Sequence, residues 1–185
     1  MTGQRIINCL VVTIKGVCTE MTNAEKSQLV PAERMADEAS SAVLGVAVGG
    51  DRYLIPMAEV SEVIPIPKLA HVPLTQPWFL GLANVRGNLY GITDLGVYLG
   101  GNPVSFNQKS RILMVIMENK LYGGFIVNSM LGIRDLSEFA SVKPAKKKLP
   151  KCVTAQYKDA EGRQWWQLSL FRLIGDEKFL QVARE

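Results

Sequence analysis

From Ala42 onward the chain is a series of short apolar runs, each stopped by glycine, proline or a polar turn before a long helix could develop. Short runs rich in β-branched and aromatic residues, bounded by such punctuation, fill strands. VLGVAV ends at Gly49-Gly50-Asp51 and RYLIP resumes at once, which predicts a hairpin. Arg111 to Met117 (RILMVIM), a polar Glu118-Asn119-Lys120 turn and Leu121 to Val127 (LYGGFIV) predict a second. Ser129 to Asp135 is another short segment, and Gln164 to Leu170 (QWWQLSL) follows a turn over Asp159 to Gly162. Strands at this spacing predict a mainly all-β chain, a small barrel or sandwich.

Helical signals are few. Asp94 is placed to cap a short helix over LGVYL that stops at Gly100-Gly101. Leu170 to Ala183 mixes apolar and charged residues at near-helical spacing and predicts a closing helix. Residues 1–41 differ from the rest. Their apolar stretch, Ile6 to Ile14, is interrupted by Asn8 and Thr13 and is too short to span a bilayer. Glu25 to Ala39 holds helix formers around Pro31, and Met21 opens a stretch that reads as an ordinary start of translation. The expectation is an extension that is poorly ordered or partly helical and dispensable for the fold, followed by a folded unit over residues 42–185. With no convincing targeting segment, a cytoplasmic location is expected.

The chemistry-bearing residues are scarce. His71 is the one histidine, between apolar residues before Pro73, so it reads as structural. Cys9, Cys18 and Cys152 have no CxxC spacing and read as free thiols. Metal sites and Ser/His or Cys/His catalysis therefore have almost no raw material. Gly81 to Gly91 (GLANVRGNLYG) fits neither the dinucleotide nor the Walker spacing. The expectation is no catalytic residue, no cofactor and no metal. The net charge of +4 is too weak to argue for nucleic acid by itself, and much of it sits in Lys143, Lys146, Lys147, Lys148 and Lys151, a run that reads as a solvated loop. Trp165 and Trp166 point to opposite faces of one strand, one toward a core and one toward a rim.

Arg86 stands out, because its neighbours are apolar or small. A guanidinium there must reach solvent or find a carboxylate. Glu62, in the mostly apolar VSEVI, is the natural candidate; by spacing alone the two read as separate solvated charges.

These residues carry a resemblance. Tyr53 to Ile64 (YLIPMAEVSEVI), a proline-punctuated stretch, Gly81 to Gly87 (GLANVRG) and Ile92-Thr93-Asp94-Leu95 together resemble the CheW-like domain, as does the later Gly124-Phe125-Ile126-Val127. The resemblance covers roughly Ala42 to Ile174. With Trp78 before the glycine and Phe179 to Ala183 at the end, the chain is most similar to the adaptors of type IV pilus, twitching-motility chemosensory systems. It implies two SH3-like β-barrels and a non-catalytic adaptor between a methyl-accepting chemoreceptor and a CheA-type histidine kinase. The kinase's regulatory domain would dock on one barrel and the receptor's cytoplasmic tip between the two, with no direct membrane insertion. It also implies a Glu62–Arg86 ion pair beside a protein-binding surface formed by Val60, Glu62, Asn84, Arg86 and Gly87, with Val60 on an exposed apolar patch. Two positions depart from the family pattern. Gly91 stands where proline is usual, suggesting a looser strand, and Asn128 stands where aspartate is usual, keeping an acceptor without the charge. A competing reading is a small-barrel nucleic-acid binder using Lys143 to Lys151 and the tryptophans.

Overall fold

The structure, a computed structural model, describes residues 41–116, 122–143 and 149–184. The expected 1–41 extension and the turn at 118–120 therefore lie outside the described residues, apart from Ser41. The described chain runs β1 (Ala42–Val48), β2 (Asp51–Pro56), a 3₁₀ turn (Met57–Glu59), β3 (Glu62–Pro65), β4 (Phe79–Val85), β5 (Asn88–Asp94) and helix α1 (Leu95–Tyr98). It continues through β6 (Arg111–Ile116), β7 (Tyr122–Val127), β8 (Ser129–Asp135), a second 3₁₀ turn (Leu136–Glu138), β9 (Ala140–Val142), β10 (Val153–Lys158) and β11 (Gln164–Leu168). Two short helices close it, α2 (Leu170–Ile174) and α3 (Glu177–Leu180).

The strands form two sheets, ordered β8-β1-β2-β11-β10-β9 and β3-β6-β7-β5-β4. Most neighbours are antiparallel, but each sheet holds one parallel pair, β2 with β11 and β5 with β7. The five-stranded sheet closes on itself. Beyond β3 the chain returns at Ala70, whose N–H and C=O both exchange hydrogen bonds with Leu82 of β4, at 2.8 and 2.9 Å. That closure needs Gly81: its φ is +130°, and a Cβ there would sit 2.2 Å from the Ala70 carbonyl oxygen. In the six-stranded sheet β8 runs into β9 through the Leu136–Glu138 turn, so the two edge strands meet at a corner. Asp135 and Glu138 satisfy that turn reciprocally as a capping box.

The apolar run of β1 is explained by burial on both faces. Val43 joins Leu54, Phe139 and Trp165 in a small cluster. Leu44, Val46 and Val48 point the other way, into a larger cluster shared with Ile92, Ile112 and Phe125 of the five-stranded sheet. Trp165 and Trp166 divide in the same manner. Trp165 is in the small cluster, while Trp166 packs against the large one, so the second tryptophan is not the rim aromatic expected.

The closing helix is two helices. Ser169 and Asp176 each accept an N-cap hydrogen bond, and Gly175 ends the first helix before the second begins. Phe179 of α3 then inserts among Trp78, Tyr98 and Phe125, its ring centroid 5.5–5.7 Å from theirs. The last described residues leave helix geometry and bridge to the segment before β4: Gln76 donates its N–H to Val182, and Arg184 donates to Leu74. Gly91 is not a loose point. A Cβ there would meet the Phe79 ring at 3.1 Å, so the missing side chain is the space the ring occupies.

Candidate protein-docking site

The sequence-derived candidates gather where the chain crosses from one sheet to the other. The 3₁₀ turn is closed by the Val60 N–H on Met57 O at 3.1 Å. Ser61 then donates both its N–H and its hydroxyl to Met114 O of β6, each at 2.9 Å. Those bonds set the register that places Glu62 opposite Met114.

Arg86 reaches the same place from the other side. Val85 and Asn88 pair at the end of the β4–β5 hairpin, leaving Arg86 and Gly87 as a two-residue loop. Both have positive φ, 53° and 86°, the signature of the tight turn whose twist suits a hairpin. Asn84 holds the loop by accepting the Gly87 N–H on Oδ1 at 2.9 Å. A left-handed arginine is a strained choice, costing roughly 1–3 kcal/mol. Here the turn throws the guanidinium over β3, where Nη2 donates to Glu62 Oε1 at 2.7 Å.

The pair forms, and it lies at the surface. The Arg86 side chain is 76% exposed and that of Glu62 36% exposed. The turn projects Arg86 out of the sheet, so apolar neighbours in sequence are not its neighbours in space. Behind it lies Tyr90, buried and edge-on to Tyr122 at 5.1 Å. Burial pushes the Tyr90 phenol above its ordinary pKa; Tyr122 and Glu62 push the same way, and Arg86 opposes them. The phenol therefore stays neutral under the ion pair.

Val60 differs from expectation. It is half-buried and packs against the large core cluster, because the crossover turn directs it inward. Exposed apolar residues on nearby strands are Val63, next to Glu62 on β3, and Leu89, opposite Asn84 across the hairpin. Glu62, Asn84, Arg86 and Gly87 thus share one rim of the five-stranded sheet, with Val60 behind it.

Other sequence candidates serve the fold. Asp94, buried, accepts the Val97 N–H at the start of α1 and the Val104 N–H beyond its end. Asn128 uses its retained acceptor: Oδ1 takes the Gly49 N–H at 2.8 Å, while its own N–H donates to Ala47 O, tying the β7–β8 crossing to the β1–β2 turn. His71, Lys143 and Lys151 are exposed, and Lys146, Lys147 and Lys148 lie outside the described residues. One residue that sequence reading missed is Glu59. Its carboxylate accepts from the Ser169 hydroxyl and from the Leu170 and Phe171 amides at the head of α2. No short-range pattern links positions so far apart.

Comparisons with known proteins bear on the family and the fold. Residues 42–178 match the CheW-like domain. The chain is 30% identical over 159 residues to the protein PilI of Pseudomonas aeruginosa, covering 83% of this chain and 86% of that one. It is 29% identical over 83 residues to the chemotaxis protein CheW of Helicobacter pylori, covering 45% of this chain and 50% of the other. In three dimensions it superposes on the crystal structure of the scaffolding protein TtCheW from Thermoanaerobacter tengcongensis. The TM-score is 0.61 at 18% identity, over 71% of this chain and 85% of that one. The fold is thus the double SH3-like β architecture expected, with a few short helices.

Proposed function

This chain belongs to the CheW-like family, and from that membership we infer that it is an adaptor coupling chemoreceptors to a CheA-type histidine kinase. The observation that carries the reading is the reach of the family match: residues 42–178 take in both sheets and run into α3. Such an adaptor works by holding two partners and needs no reacting group, so the protein is proposed to be non-catalytic and to use no cofactor or metal. Among the described residues no helix is long and apolar enough to cross a membrane. A cytoplasmic protein attached to receptor arrays through protein contacts fits that observation.

In finer terms, the kinase's regulatory domain is proposed to dock at the rim formed by Glu62, Asn84, Arg86 and Gly87, with Val60 supporting it from behind and Val63 and Leu89 supplying apolar contact. The receptor's cytoplasmic tip is proposed to lie between the two barrels, and the pathway to be that of type IV pilus motility. Residues 42–185 are proposed as the adaptor module, with 1–41 an extension to it.

Calorimetry with a purified regulatory domain tests this. The wild-type chain binds; Arg86→Ala and Glu62→Ala each weaken binding. Because the pair is exposed, each change lowers folding stability by less than about 1 kcal/mol. In the double mutant the binding losses are less than additive. Strictly additive losses would make the two independent contacts. Failure of the wild type to bind kinase or receptor, together with salt-sensitive gel shifts on nucleic acid, would favour the basic-loop reading instead.

A further inference from the structure

We propose that Glu59 is a positioning residue for the docking rim, fixing it to the C-terminal helices; this rests on the adaptor reading above. Four consecutive residues of the crossover are each held by a different part of the molecule. Glu59 is bound to the head of α2. Val60 packs into the large core cluster, Ser61 is bound twice to Met114 O, and Glu62 is paired to Arg86. Three of these ties run to the common core or to the five-stranded sheet. Among the described residues, the crossover's side-chain hydrogen bonds to the segment following β11 are those of Glu59.

More than helix capping is needed to explain it. Ser169 already caps α2 from within the segment, accepting the Arg172 N–H at 3.2 Å. Glu59 comes from 110 residues away and faces donors only: the Ser169 hydroxyl at 2.9 Å, the Phe171 N–H at 3.2 Å and the Leu170 N–H. The far end of the strut is anchored separately, by Phe179 against Trp78 and by the bonds of Val182 and Leu74 across the tail. With α2 and α3 fixed at that end, the Glu59 carboxylate holds the crossover immediately before Val60 and Glu62. Releasing it removes the hydrogen bonds that hold the crossover to the head of α2, and the rim loses its alignment with Arg86.

Glu59→Gln tests the idea, because it keeps size but turns an amide donor toward groups that are donors themselves. Three readouts are taken: affinity for the kinase regulatory domain, melting temperature, and amide exchange residue by residue. Trp165→Phe, in the small cluster away from the rim, serves as a stability control. Glu59→Gln is expected to weaken binding about tenfold, within the range of ordinary intersite coupling. It is also expected to speed exchange at Ser61 to Ile64, while the control at a matched loss of melting temperature changes affinity less than about twofold. Ser169→Ala removes one of the three bonds together with the Arg172 N–H cap of α2, and gives an intermediate loss of affinity with faster exchange at Ser61 to Ile64, which keeps the test open if Glu59→Gln fails to fold. Equal affinity losses for Glu59→Gln and the control, or exchange quickened in α2 but not at Ser61 to Ile64, would overturn the proposal. If the wild type binds no kinase domain, the adaptor reading falls, and the exchange measurement still decides whether Glu59 holds the rim.

Discussion

Thr93 is fully buried on β5, and its hydroxyl has no hydrogen-bond partner among the described residues. An unpaired buried hydroxyl costs about 1–3 kcal/mol in desolvation. Thr93→Val removes that cost at nearly constant shape, so urea denaturation should show stability unchanged or raised, by about 1 kcal/mol. A clear loss would mean that the hydroxyl is bonded in solution. At this scale the sequence was legible where a residue acts on its neighbours. Asp94 announced its helix cap, and Asn128 announced an acceptor. Arg86 announced that it needed company and Glu62 was the natural candidate, but by spacing the two read as separate solvated charges; the family pattern pointed to a pair, and the hairpin explains how the two meet. Exposure was misread for Val60, because it depends on which way a turn throws a side chain. Glu59 was invisible because its partners lie at the other end of the chain.

Elements were legible where turn chemistry is local. The Gly49-Gly50 loop of β1–β2 has φ values of 60° and 100°, as its sequence demands. The single closing helix was misjudged, because apolar spacing persists through Gly175 while the Ser169 and Asp176 caps divide it. β4 is an element exposed to a single change. Gly81→Ala places a methyl group 2.2 Å from the Ala70 oxygen at a φ of +130°, so both the sterics and the backbone oppose it. The expected cost is about 2–3 kcal/mol, read as a lowered denaturation midpoint, and larger than that of Ala at Gly162, where nothing lies within 4 Å. Equal costs at the two glycines would show that the barrel does not depend on that close approach.

Across the whole molecule, the larger core is common to both sheets, which is why apolar runs were easier to read than the division between barrels. Tyr53 of β2 and Tyr98 of α1 both belong to that core. Burial, followed by Asp51 and Cys152, pushes the Tyr53 phenol up to about 12; burial, followed by Asp176 and Cys152, does the same for Tyr98. Both are neutral in the folded chain when the unfolded chain begins to ionise them near 10. Their stabilising contribution is therefore complete below that pH and is lost as pH rises toward 12. Urea midpoints should fall over that interval, and Tyr53→Phe with Tyr98→Phe should flatten the fall. An unchanged profile in the double variant would assign alkaline unfolding to other groups.

The nesting of the strands has a consequence for synthesis. β3 to β7 lie between β2 and β8 in the chain, yet β2 finds its parallel partner in β11. A ribosome would deliver the inner barrel complete while the outer one was still waiting for its last strands. Until then β2 carries an open backbone edge, beside apolar residues whose cover has not yet been made, which is the condition for pairing with the wrong chain. During translation that open edge therefore lasts from the completion of the five-stranded sheet until β11 has emerged.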